Sequence, residues 1–491
     1  MNVTEVPVLS RMFYVSFFIL FCLIVSSGAD YECPYQVCPC AETRILCDNL
    51  GLDRLPPLLT TQPTYNSYLS AENNFITRIS NDSLPSDLTF MSFNNNPIQT
   101  IDDAAFARSA TSLESLMFSN ARFTKIPNAF RQLTALTLLS ISNTPLVDWN
   151  PDVMKQLGPR MEVLTLENVG LTEWPSWLRN YTQLTELTIG GNSISSIPED
   201  AFDNVINSLQ TLAVSNTSFI EVPKAVSKLN NLNSLSFIYS RISNLTWLPS
   251  KLNWLVIQNA RISDADHVKD ALRPLAGSLT QVDFQANRLT KIPDVSFMTS
   301  LQILQLMNNK IADPVSGAVP TGLNEIDLSY NLLHAIPRIF TSLHSLTLFT
   351  LPWNNLMALT GSDFPPSTTE ADFQSNLITQ LSDTSFPNNS SIEILTLNNN
   401  PLSTISAGAI HNLPHLQSLK LANTKITRLP ISFASLSNLL YFDITGTPDL
   451  VCTCMEASLR PVILKLDTLL GDCGAVSIRY FFDILSPACP S

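Results

Sequence analysis

From Asn66 to Leu450 the apolar residues of this chain fall in one recurring order. The stretch Leu184 to Pro198, LTELTIGGNSISSIP, shows it most clearly: Leu184, Leu187, Ile189, Ile194 and Ile197 are apolar, and an amide stands at Asn192. Counting Leu184 as position 1, positions 4 and 6 alternate as in a strand, so their side chains share one face while positions 3, 5 and 7 take the other. Asn192, at position 9, falls where the strand must turn. A buried amide there is expected to bond the backbone of neighbouring copies. Alternation of this length predicts a short strand in every copy, joined to the next by a turn and a return segment.

Position 1 recurs at Asn66, Leu88, Leu113, Leu136, Met161, Leu184, Leu209, Leu232, Leu252, Leu279, Leu301, Leu323, Leu346, Thr368, Ile392, Leu416 and Leu439. That is about seventeen copies stepping by roughly 23 residues. The pattern L-x-x-L-x-L-x-x-N-x-L is identified as the leucine-rich repeat, in which a copy cannot bury its apolar edge alone and stacks on its neighbours. The resemblance implies an α/β solenoid, a curved horseshoe with a parallel β-sheet on its concave face and short helices and irregular segments on its convex face. Two dialects appear. One keeps Asn at position 9, as at Asn74, Asn96, Asn287, Asn309, Asn331, Asn354, Asn376 and Asn400; the other moves Asn to position 8 and follows it with a small or β-branched residue, as in Asn120-Ala121, Asn216-Thr217 and Asn423-Thr424. The amide ladder should therefore run unbroken from Asn287 to Asn400 and be weaker before it, with Thr hydroxyls replacing part of the bonding. Pro127, Pro337 and Pro430, each followed by an aromatic residue, mark convex packing, and a helix should start near Asp264.

The ends follow a different grammar. Arg11 and the apolar run Met12 to Val25, followed by Ser26, Ser27, Gly28 and Ala29, read as a secretory signal over residues 1–29. The run is short of the ~20 residues of a spanning helix. Cys22 lies in that signal. The other eight cysteines cluster as Cys33, Cys38, Cys40, Cys47 and Cys452, Cys454, Cys473, Cys489, an even count that argues for disulfides, each group allowing three pairings. Zinc is the alternative for such clusters, and no histidine stands at ligand spacing to support it. Residues 30–65 resemble the N-terminal cysteine-rich cap of animal extracellular leucine-rich repeat proteins in their C-x4-C-x-C-x6-C spacing and closing L-x-x-L-P, and residues 451–491 resemble the C-terminal cap. The resemblance implies the pairs Cys33–Cys40, Cys38–Cys47, Cys452–Cys473 and Cys454–Cys489, around a solenoid over residues 66–450.

A formal net charge of -13 argues against bulk attraction to nucleic acid. No catalytic motif is present, so no enzyme and no cofactor are expected. His411 and His415 are four apart, but Pro414 separates them and removes a shared helical face. What remains is a ligand face. Positions 3, 5, 7 and 8 carry acids and exposed-type aromatics, and Tyr239, Trp254, Asp283, Met307, Asp327, Tyr330, Trp353 and Asp372 are the candidate ligand-binding residues for a basic extracellular protein or peptide. The alternatives are that this acidic face serves solubility, or that the chain is a non-catalytic subunit of a secreted enzyme or innate-immune complex. Basic residues gather elsewhere: Arg241, Arg261, Arg288 and Lys310 stand at position 10 of four successive copies, where either acids such as Asp264 and Asp313 compensate them or an anion such as a sulfated glycan does. Glycosylation sequons occur at Asn81, Asn180, Asn216, Asn244, Asn388 and Asn389.

Overall fold

The computed structural model describes residues 33–59, 67–191 and 193–489. The segment 1–29 expected to be a signal, with Cys22, the first repeat position Asn66 and the amide of Asn192 lie outside the described residues. Each repeat contributes one strand to a sheet that is parallel except at its N-terminal hairpin. Fourteen described strands run from Cys40–Ala41 to Glu325–Asp327, and six more from Leu348–Thr350 to Thr468–Leu470. Position 4 is held in register from turn to turn: Leu187 pairs with Leu212, Leu212 with Leu235, Leu235 with Leu255, and Leu255 with Val282. All five are buried, each contributing roughly 1.5–3 kcal/mol that it could not contribute in an isolated turn.

On the convex side, prolines start short 3-10 turns. Pro127, Pro337 and Pro430 have φ near −63°, −63° and −62° and precede Asn128–Gln132, Arg338–Ser342 and Ile431–Ser435. Their fixed φ delivers Phe130, Phe340 and Phe433 into the core, where all three are buried. The longer return segment after Asn259 forms the helix Ala265–Leu272, capped by the Asp264 carboxylate, which accepts the N–H groups of Asp266 and His267 at 2.9 and 3.1 Å.

The two dialects bond the backbone differently. In the first, the amide at position 9 donates to the position-6 carbonyl of the preceding turn and to that of its own turn, and its oxygen accepts a backbone N–H of the preceding turn. Asn331, for instance, donates to Leu306 O and Leu328 O at 3.0 Å and accepts from Ile311 N at 2.9 Å. The arrangement repeats from Asn287 through Asn400, as the pattern predicts, and also at Asn74 and Asn96. In the run of turns from Ser115–Ser119 to Trp254–Gln258, most of them of the second dialect, each strand has five residues, against three in Gln281–Asp283 and in Ser418–Lys420, whose turn carries Asn423-Thr424. Threonine replaces part of the bonding, and unevenly: Thr144 donates to Ser142 O and Thr424 to the position-6 carbonyl of its own turn, Leu421 O, both at 2.9 Å, the Thr424 hydroxyl also lies 3.5 Å from that of Thr447 in the next turn, and the enclosed hydroxyl of Thr217 has no partner among the described residues.

Strand pairing lapses once, between Glu325–Asp327 and Leu348–Thr350. The amide ladder crosses that gap: Asn354 donates to Leu328 O and accepts from Leu333 N, both at 3.0 Å. At the N-terminal end, with bonds Cys33–Cys40 and Cys38–Cys47, the hairpin of Cys40–Ala41 and Arg44–Leu46 continues the sheet by pairing with Tyr68–Ser70. At the other end Thr468–Leu470 pairs with Tyr441–Asp443, and the bonds are Cys452–Cys473 and Cys454–Cys489. There the buried Glu456 carboxylate accepts Arg428 Nε at 2.7 Å and the Thr453 N–H at 2.8 Å, fixing the segment to the last turns. None of the described helices is long and apolar enough to cross a membrane.

Candidate ligand face and its two edges

Period-2 alternation sends position 3 outward along the whole concave sheet. Trp254 stands there, 44% exposed, with Glu186, Glu325, Leu348 and Glu370 exposed at the same position of other turns. Acidic and apolar groups thus share one column, with strands ~4.8 Å apart. The same column holds an aromatic pair that sequence reasoning missed: Tyr68 and Phe90 stack at 4.3 Å, with the Arg44 guanidinium 5.4 Å from the Tyr68 ring centre. They sit at position 3 of the first two repeats, so the signal that marked Trp254 also marks them.

The position-5 aspartates differ from the expectation of free ligand groups. Asp283, Asp327, Asp372 and Asp443 each accept the N–H of the residue two further on, Gln285, Ser329, Gln374 and Thr445, at 2.9, 2.8, 2.9 and 3.0 Å. For Asp283, Asp327 and Asp372 the cause lies in the amide ladder; the turn of Asp443 has Thr447 in place of the amide. Where the position-9 amide takes the position-6 carbonyl, the position-7 N–H loses its ladder acceptor, and a carboxylate two residues back supplies one. Pro352, at position 7 of its turn, meets the same need by having no N–H. Asp283 is only 6% exposed and also accepts Gln258 Nε2 at 2.6 Å, so it is a buried backbone support. Burial pushes its carboxyl above the usual range, and burial does the same at Asp372 and Glu167. Asp327 and Asp372 are half-buried, as is Met307 at position 7.

Tyr239, Tyr330 and Trp353 likewise differ from their expected place on the sheet. All three stand at position 8, past the strand, in the left-handed turn with φ of 54°, 55° and 56°. Asn holds that conformation in most other turns, because its short side chain tolerates it, whereas an aromatic residue there costs about 1–2 kcal/mol. They are 56%, 47% and 48% exposed, and Tyr330 stacks on Trp353 at 5.2 Å with planes 8° apart. Beside that pair Leu332 and Leu377 are exposed at position 10. Trp254 and Trp353 are four turns apart, ~19 Å along the sheet, so the candidate residues form a concave column and a separate aromatic edge.

The basic row lies on the same edge, N-terminal to the aromatic pair. Arg241, Arg261, Arg288 and Lys310 are exposed and make no ion pair among the described residues. Asp264 caps its helix and Asp313 holds the N–H groups of Val315 and Ser316, and neither forms an ion pair with the row. Among the sequons, Asn81, Asn216, Asn388 and Asn389 are exposed; Asn180 and Asn244 are half-buried, and the Asn180 amide donates to Trp177 O at 3.0 Å. His411 ends the helix Ala407–His411 and His415 lies beyond it; no metal-binding cluster of His, Cys, Asp and Glu occurs among the described residues.

Comparison with known proteins agrees with this architecture. The Leucine rich repeat family model matches residues 86–146, 372–426 and 395–448, and a BspA type leucine rich repeat region matches 172–258. The human leucine-rich repeats and immunoglobulin-like domains protein 1 is 32% identical over 147 residues, covering 29% of this chain and 13% of that protein. Its human namesake, protein 2, is 28% identical over 131 residues, covering 26% and 12%. The chain therefore aligns with about an eighth of the length of these relatives. Among solved structures, a leucine-rich repeat protein of Leptospira interrogans superposes with a TM-score of 0.53 at 20% identity, over 73% of this chain and 90% of that one, a likeness of fold. Matched repeats, a stacked parallel sheet and disulfide-closed ends together make this chain a leucine-rich repeat solenoid protein with cysteine caps.

Proposed function

We propose that this protein is an exported, glycosylated, non-catalytic binding protein that takes a basic protein or peptide on its concave face. The observation that carries the reading is the position-3 column, where exposed Leu348 stands between exposed Glu325 and Glu370 and exposed Trp254 lies three turns before Glu325, past Gln281 and Ile303. A basic segment with apolar anchors complements such a column, its cations meeting carboxylates and its apolar groups covering tryptophan and leucine. The stacked Tyr330 and Trp353 extend the contact to the edge. Half-buried Asp372 and buried Asp283 add negative field from behind without touching the ligand. Four disulfides support an oxidising compartment.

The test is capture of partners from native secreted fluid by the mature protein and by a Trp254→Ser/Trp353→Ser variant of unchanged circular dichroism. The expected result is a basic partner held by the wild type and released by the variant. Equal capture by both sinks the reading. Recovery of a stoichiometric secreted enzyme or immune factor would instead make the chain a subunit of that assembly.

A further inference from the structure

We infer that the basic edge is a second binding site, for a sulfated glycan chain running along the solenoid axis. An open groove of about 660 Å³ lies where the strands leave the sheet, lined by Arg241, Arg261 and Arg288 of three successive turns together with Tyr239, Asn216 and Thr217. No carboxylate lines it. The backbone sets the spacing of its cations. Arg241, Arg261, Arg288 and Lys310 donate their N–H groups to the preceding turns at Phe219, Ile242, Ile262 and Leu289 O, at 3.0, 2.8, 2.8 and 2.9 Å, which is the same rung repeated. Side chains on successive rungs are ~4.8 Å apart. Among the described residues none of the three guanidinium groups has a side-chain hydrogen bond, ion pair or ring contact, so like charges are held together without a paired carboxylate.

Three further features select the class of anion. Lys310 carries the row beyond the groove, which suits a polymer with repeated charges better than a single oxyanion. The walls are rich in hydroxyl and amide groups, so sugar hydroxyls find complements there. Tyr239 is held over the groove in a left-handed conformation that its neighbours Asn216 and Asn259 occupy without strain, offering one flat face for a pyranose ring. A nucleic acid would need several stacking platforms, and the groove has one.

This site is independent of the concave-face reading, because its residues lie outside the position-3 column. The experiment is calorimetric titration of a size-defined heparin oligosaccharide at low salt into the wild type and into Asn216→Gln, which removes the sequon from the groove. Saturable binding that weakens steeply with added salt is expected. Arg241→Ala/Arg261→Ala/Arg288→Ala should weaken it at least about tenfold, the equivalent of losing one charge-assisted hydrogen bond. Arg122→Ala, at position 10 of an earlier turn, should not. Absence of binding by both wild type and Asn216→Gln, equal loss in Arg122→Ala, equal binding of desulfated oligosaccharide, or equal binding of an RNA of matched charge would each overturn the assignment.

Discussion

Replacing Asn331 by alanine removes one rung of the amide ladder, and the structure says which groups suffer. Four bonds go: Nδ2 to Leu306 O, Leu328 O and Ser329 O at 3.0, 3.0 and 3.2 Å, and Ile311 N to Oδ1 at 2.9 Å. The carbonyls are not orphaned, because Leu306 O still receives Asn309 and Leu328 O still receives Asn354. Ile311 N–H is left buried without an acceptor. One stranded N–H at about 1–3 kcal/mol plus two lost neutral bonds at about 1 kcal/mol each gives roughly 4 kcal/mol. A solenoid of this length need not unfold in one step, so a single melting curve is a poor gauge. Native-state hydrogen exchange reads the rung directly. Protection at Ile311 should collapse, while Leu289, whose acceptor is Asn309 Oδ1, keeps its own. Asn423→Gly serves as control, since Asn423 is exposed and its amide reaches only Asn399 Oδ1 at 2.8 Å; its cost should stay within about 0.5 kcal/mol. If Asn331→Ala cost no more than that control, the ladder would not be what joins the turns.

Tyr239→Asn should raise the melting temperature, because the left-handed turn then loses about 1 kcal/mol of strain, and should lower heparin affinity; a variant that melts no higher would show that the ring is held without strain. For Asp283 the sign follows from its raised carboxyl: folded above unfolded value, so the ionised carboxylate works against the fold above the folded value, and this effect disappears as pH falls below the unfolded one. Asp283→Asn keeps an oxygen for Gln285 N–H and should stabilise the protein near neutral pH, the advantage shrinking on acidification. Denaturation midpoints across that range check it, and a gap that widened with acid would contradict it.

The repeat frame was legible because a solenoid writes its core into the period: Leu187, Leu212 and Leu235 are spaced by the turn they close. Asn287 to Asn400 were legible for the same reason. The role of Asp283 was hidden, since a carboxylate at an outward-pointing position looks alike whether it meets solvent or its own backbone two residues on. A local cue exists. Asp283, Asp327 and Asp372 each precede a ladder asparagine by four residues, Asn287, Asn331 and Asn376. Tyr239, Tyr330 and Trp353 are legible as exposed aromatics but not as edge residues, because strand alternation extends one residue past the strand's end. The asparagines filling position 8 elsewhere signal a left-handed turn there. The five-residue strands from Ser115 to Gln258 could not be read at all, since Asn423-Thr424 follows a strand of three residues with the same local pattern.

The amide ladder also bears on how such a molecule changes over generations. Its bonds run from one side chain to main-chain carbonyls that every residue possesses and N–H groups that every residue but proline possesses, so no outward-facing side chain is needed to make them. Frame and surface are thereby inherited as separate properties, and selection on a binding face can proceed position by position without reopening the problem of folding.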